Sequence, residues 1–164
     1  MVETIFLYVG LVFFILYNVF MTFVNNKEIP ESISETSYIS KEHFGTTIPF
    51  TALCIISAVC IFPLWILVSP VNFEFLVFLS CTGMMFAGTT PLFNQKFDGR
   101  IHYTSGIIAF ISGIAWLLLT HNYITLGLIA IIGGIWTLFQ KEKYTFIFEV
   151  VPYITLCITL LTMI

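Results

Sequence analysis

Residues 101–140 read IHYTSGIIAFISGIAWLLLTHNYITLGLIAIIGGIWTLFQ, 40 positions without a single Asp, Glu, Lys or Arg. A helix crosses a bilayer in about 20 residues, so this stretch is twice too long for one crossing. Thr120-His121-Asn122 places a polar break at its midpoint, where a tight turn costs least. The stretch therefore encodes two spans, 101–120 and 123–140, and this pairing fixes the parity of the whole topology.

Outward from there, the other charge-free intervals are counted in the same way. Residues 4–24 form a first span. Residues 44–73 are also free of charge, but Pro63 and Pro70 point to one helix over 46–68 and a short turn at Ser69–Glu74. A third span covers 74–92, fraying at Pro91, and a last one covers 145–164, interrupted by Glu149 and Pro152. The expected fold is all-α, a single domain over 1–164 built as a six-helix transmembrane bundle. With six spans, the loops 25–43, 93–100 and 141–143 share one side, and they hold Lys27, Lys41, Lys96, Arg100, Lys141 and Lys143, every basic side chain in the chain. Short cytoplasmic loops collect Lys and Arg, so those loops are assigned to the cytoplasm and both termini to the outside of a cell membrane.

Composition agrees. Of 164 residues, 59% are apolar and 9% charged, with a mean hydropathy of +1.01, against about 25% charged residues in soluble domains. Six basic residues against nine acids leave a net charge of −3, which excludes a nucleic-acid binder. Cys54, Cys60, Cys81 and Cys157 all fall in apolar runs without CxxC spacing and read as small packing residues. The run from Thr4 follows a lone Glu3, with neither a basic leader nor a cleavage site, and reads as a retained helix.

Small residues allow helix backbones to approach in lipid. Ser105, Ala109 and Gly113 recur every four residues on the fourth span, as Gly83 and Ala87 do on the third and Ala130 and Gly134 on the fifth, which makes the fourth span the expected centre of the bundle. Trp65 and Trp116 are expected at the outer interface and Trp136 at the inner one, as an aromatic belt. Asn18, midway along the first span, is expected to bond a neighbouring helix.

Chemistry-bearing residues gather on the basic side. In the first loop, Ser32, Ser34, Glu35 and Tyr38 offer hydroxyls and a carboxylate, with Ser32 and Glu35 at capping-box spacing ahead of a short interfacial helix. Asp98, the only aspartate, stands four residues before His102, either capping the helix or holding the imidazole in one tautomer, with Arg100 between them. Glu149 lies about one turn inside the sixth span, at a depth where a carboxylate costs a few kcal/mol unless it is paired or reaches water. Ser32, Ser34, Glu35, Tyr38, Asp98, Arg100, His102 and Glu149 are accordingly the candidate ligand-binding residues. His43, at the end of the first loop, reads as an interfacial side chain.

Two segments, Pro30-Glu-Ser-Ile-Ser-Glu-Thr-Ser-Tyr38 and Asp98-Gly-Arg-Ile-His-Tyr-Thr-Ser105, resemble a group of small bacterial and phage-associated polytopic membrane proteins. That group is distantly similar to the superfamily of adiponectin/progestin-type receptors and alkaline ceramidases. In the ceramidase-like branch the resemblance implies a zinc-dependent lipid amidase with three histidines on the metal. Here the histidines are His43, His102 and His121, and the topology puts His121 a membrane thickness from the others, so no metal or other cofactor is expected. The last span also lacks the paired histidines of that branch.

The reading that follows is a membrane protein whose cytoplasm-facing polar site binds a lipid headgroup or small amphiphile, with membrane lipids and a second copy of the chain as its candidate partners. A membrane-embedded metal-dependent hydrolase, and a channel or proton-coupled transporter using Glu149, are the alternatives. Catalysis is left open. Cysteine accessibility or fused reporters should place 25–43, 93–100 and 141–143 on one side and both termini on the other; termini on opposite sides would overturn the count.

Overall fold

The computed structural model describes residues 1–92, 98–120 and 144–164, leaving out the side chains of Asp98, Tyr144 and Phe148. Among the described residues there are six α-helices and no strands: α1 (Val2–Val24), α2 (Thr36–Phe44), α3 (Ile48–Val68), α4 (Glu74–Thr89), α5 (Asp98–Leu119) and α6 (Tyr144–Thr162). Short 3-10 turns at Val71–Phe73 and Thr90–Leu92 flank α4. Five stretches are long and apolar enough to cross a bilayer, and the protein is an integral, multi-pass membrane protein. The described spans match the expected ones within a few residues, because Pro70 and the loop charges punctuate them. The expected fifth span, 123–140, and with it Trp136, Ala130 and Gly134, lies outside the described residues.

Helix α3 packs against α1 on one side and α4 on the other, α4 carries α5, and α6 packs more lightly on α1, α3 and α5. At one end, here the loop end, Thr47 Oγ1 donates to Pro91 O at 3.5 Å, Thr51 Oγ1 to Gly88 O at 2.8 Å, and Phe146 N to Glu31 O at 2.8 Å. At the far end, Trp116 Nε1 donates to Ser69 Oγ at 2.8 Å. Helix α6 runs antiparallel to α1, with Tyr153 stacked on Phe14 at 4.2 Å between ring centroids. Both termini therefore share the far end, and residues 25–47 and the turn at Thr90–Leu92 share the loop end with the start of α6.

Contact between these helices depends on missing side chains. A Cβ at Gly83 of α4 would meet Ser105 O at 2.7 Å and Ala109 N at 2.9 Å on α5. A Cβ at Gly10 of α1 would stand 2.6 Å from the Cβ of Cys60, and one at Gly88 would strike Cys54. Cys54 and Cys60 thus present α3's small faces to glycines on both neighbours, and all four cysteines are buried and free. Ser80 Oγ of α4 donates to Ala109 O at 2.8 Å, which adds a hydrogen bond where α4 and α5 are closest.

Two sequence expectations are corrected. Ser105 and Ala109 do sit at a helix contact, but the centre of the described bundle is α3: 50% of its span is buried, against 22% of that of α5. A small-residue strip marks one close partner, here α4, and does not by itself make a helix central. Trp65 and Trp116 do not form a belt; both are fully buried and meet edge-to-face at 5.6 Å, a geometry that the ring quadrupoles favour.

The first loop is shaped by backbone geometry. Asn26 and Lys27 take positive φ values of 54° and 69° to turn the chain out of α1, and Gly45, at φ 72°, ends α2 in the left-handed region. Helix α2 buries a hydroxyl face of Thr36, Ser37 and Ser40. Thr36 Oγ1 lies 2.9 Å from Tyr17 Oη, and Ser40 Oγ donates to Thr46 O at 2.8 Å. The short helix expected around Ser32–Tyr38 therefore starts at Thr36, where its hydroxyls find partners below it.

Gly83→Ala should lower thermal stability in detergent by about 1–3 kcal/mol through overpacking. Gly106→Ala should be neutral or slightly stabilising, since a Cβ there meets nothing within 4 Å and alanine favours helix. Equal tolerance at the two positions would refute the close α4–α5 approach.

Candidate functional site

Because α6 stands off from the other helices, a cavity of about 970 Å³ remains between α1, α3, α4, α5 and α6, near the top of the range typical of ligand pockets, about 300–1,000 Å³. Its walls are largely apolar, with Phe14, Leu53, Met84, Phe110, Ile111 and Leu156 contributed by the five helices. Its loop end is polar, bordered by Glu31, Ser32, Ser34, His102 and Glu149.

Glu149 organises that end. Its carboxylate accepts the backbone N–H of Ile33, with the Ser34 amide as a second donor. Phe146 N, one turn earlier on the same helix, donates to Glu31 O at 2.8 Å. Residues 31–34 are thereby fastened to the first two turns of α6, and backbone donors offset part of the cost of carrying a carboxylate at this depth. Glu149 is half-buried and turned inward, so it does not snorkel to the headgroups.

The turn itself is held by side chains. Glu35 N donates to Ser32 Oγ at 3.0 Å, one half of the expected capping box. The other half is displaced by one residue, since the Glu35 carboxylate takes the N–H of Glu31 in place of that of Ser32. Ser32 and Ser34 bond each other at 2.9 Å between hydroxyl oxygens.

Across the mouth, His102 Nδ1 lies 2.9 Å from Ala87 O and 3.3 Å from Thr90 Oγ1. A carbonyl can only accept, so Nδ1 carries the hydrogen, and in the neutral ring Nε2 keeps its lone pair. Thr90 Oγ1 also donates to Ala87 O, at 2.8 Å. Phe50 and Tyr103 flank the imidazole, with centroids at 6.2 and 5.7 Å.

Of the eight candidate residues, the structure brings Ser32, Ser34, His102 and Glu149 to one cavity. Glu35 is engaged within the turn. Tyr38 is 75% exposed on α2, and Arg100 is exposed beside Phe86, Ile101 and Ser105 on another face of α5. These three are not part of the cavity. The pairing of Asp98 with His102 rests on a side chain outside the described residues, as does His121. His43 is exposed on α2, with Nδ1 3.1 Å from Ile39 O. Among the described residues no three His, Cys, Asp or Glu side chains gather within reach of one metal ion.

Deeper in, two polar groups escaped the sequence reading. Ser57 of α3 and Tyr153 of α6 both line the cavity and are 1% and 7% exposed. Their hydroxyls are neighbours. Buried polar groups are nearly always satisfied, and these two oxygens lie close to each other between α3 and α6. Tyr153 could have been found from its place one turn after Glu149 on the same helix face. Asn18, expected to bond another helix, instead donates to Phe14 O of its own helix at 2.8 Å. Comparison with family models, with curated proteins and with solved structures gives no match to this chain.

Glu149→Leu should detach the 31–34 turn, costing about 1.5–3 kcal/mol for hydrogen bonds to a charged group and exposing residues 25–35 to protease. Glu149→Gln, which keeps one acceptor oxygen, should lose less. Protease resistance unchanged in Glu149→Leu would show that the carboxylate does not hold the turn.

Proposed function

We propose that this membrane protein binds an amphiphile in the cavity between α1, α3, α4, α5 and α6, with the apolar chain along the walls and the headgroup at the loop end. The observation that carries the reading is the polarity gradient of that one cavity. Its interior is lined by Phe, Leu, Ile and Met, while its loop end holds Glu149, His102, Ser32 and Ser34. Ligand sites commonly combine apolar walls with a few convergent polar groups. In this reading the headgroup end faces the cytoplasm, the side to which the basic loops are assigned, and the ligand comes from the surrounding membrane lipids.

Gly106 offers a direct test. It borders the cavity, and a Cβ there meets nothing within 4 Å, so Gly106→Trp adds an indole at the cavity edge. In phosphatidylcholine vesicles, a long-chain alcohol bearing a diazirine on its tail should label cavity residues such as Phe110 and Leu156 on illumination. Labelling there should saturate and should fall several-fold in Gly106→Trp. Labelling confined to the outward faces of the helices, or unchanged by Gly106→Trp, would overturn the reading.

A further inference from the structure

We infer that the outer seam between α4 and α5 is a lipid site of its own, which takes an anionic phospholipid with its phosphate on Arg100 and one acyl chain in the groove below. The site lies on a different face of α5 from the cavity and does not depend on the amphiphile reading above. Ile101, Thr104, Ser105 and Ile108 recur at three- and four-residue steps and so share one face of the helix. Phe86 of α4 borders the other side, and with Arg100 these side chains line a groove of about 270 Å³.

The groove follows from the packing of the two helices. Their backbones nearly touch at Gly83, where a Cβ would meet Ser105 O at 2.7 Å. Ser105, small and buried, lies at the bottom of the seam, while Phe86 and Ile108, 58% and 41% exposed, stand at its sides. The volume is below that of pockets for whole ligands, about 300–1,000 Å³, which suits one part of a lipid whose remainder stays in the bilayer.

The chemistry is ordered by depth as a phospholipid is. Arg100 stands in the first turn of α5, where the apolar span Gly99–Leu119 begins, at the level of the headgroups. Its guanidinium is planar, permanently charged and forked, a match for two phosphate oxygens. Thr104, exposed one turn deeper on the same face, carries a hydroxyl that can donate to a glycerol-ester carbonyl. Ile108, one turn deeper again, is apolar and meets the chain. Phosphatidylcholine brings a cation of its own beside the phosphate, so Arg100 favours a head with net negative charge. The setting acts in the same direction: every Lys and Arg falls in 25–43, 93–100 or 141–143, and a basic interface draws anionic lipids.

The test compares phosphatidylglycerol and phosphatidylcholine probes of equal chain length, each with a diazirine near the head of one acyl chain, at equal trace amounts in phosphatidylcholine vesicles holding the full chain. The phosphatidylglycerol probe should label Phe86 and Ile108 several-fold more than the phosphatidylcholine probe. Arg100→Gln should abolish that preference while labelling by the phosphatidylcholine probe persists. Arg100→Lys should keep part of it, since an ammonium has the charge without the fork. Thr104→Val should weaken labelling by both probes, which carry the same esters. Arg100 and Thr104 are both exposed, so these exchanges leave the packed contacts in place. Equal labelling of the seam by the two probes, or a preference that survives Arg100→Gln, would overturn the site. A preference equally strong at Leu16 and Val19, on the outward face of α1, would also overturn it, by showing diffuse attraction to the basic side.

Discussion

Glycines 10, 83 and 88 have no side chain where three helix pairs come closest, and the rest of the molecule is arranged around that fact. In lipid, apolar surface gains little from meeting other apolar surface, so helices hold together by close packing and by hydrogen bonds made where backbones nearly touch. Gly10 against Cys60, Gly88 against Cys54 and Gly83 against the Ser105–Ala109 backbone draw α1, α3, α4 and α5 into close sequence. Ser80 and Thr51 then reach carbonyls on the facing helices, bonds that a wider spacing would forbid. Helix α6 has no such glycine contact among the described residues, and the cavity opens where it stands off.

What holds α6 at that distance is polar. Glu149 and Phe146 engage the backbone of residues 31–34, while Tyr153 stacks on Phe14 further along. The helix is thus fixed at its loop end by hydrogen bonds and at mid-height by one aromatic pair. The same carboxylate that fastens the turn also lines the cavity.

Much of the architecture was legible because bilayer thickness converts a count of apolar residues directly into spans, and Pro70 and the loop charges mark their ends. The cost of a carboxylate at depth singled out Glu149, yet its partner could not be read. Ile33 lies 116 positions away, and the donor is a backbone N–H, which no residue type announces. Trp65 and Trp116 were misread because tryptophan's ordinary place in membranes is the interface. Here the two meet edge-to-face inside the bundle, and Trp116 Nε1 donates to the Ser69 hydroxyl. Ser57 and Tyr153 went unnoticed because a lone hydroxyl in an apolar run usually bonds its own helix, as Thr155 serves Thr159.

The separation between Ile33 and Glu149 bears on how the protein is made. A chain enters the membrane from its N-terminus, and early helices pack before late ones exist. Helices α1, α3, α4 and α5 make their glycine contacts from neighbours in sequence, so that part of the bundle can assemble as it emerges. The turn at 31–34, by contrast, waits with the Ile33 N–H unclaimed until Glu149, 116 residues later, has been synthesised. The polar end of the cavity is therefore completed only after those four helices can already have packed, when α6 brings Glu149 to the turn.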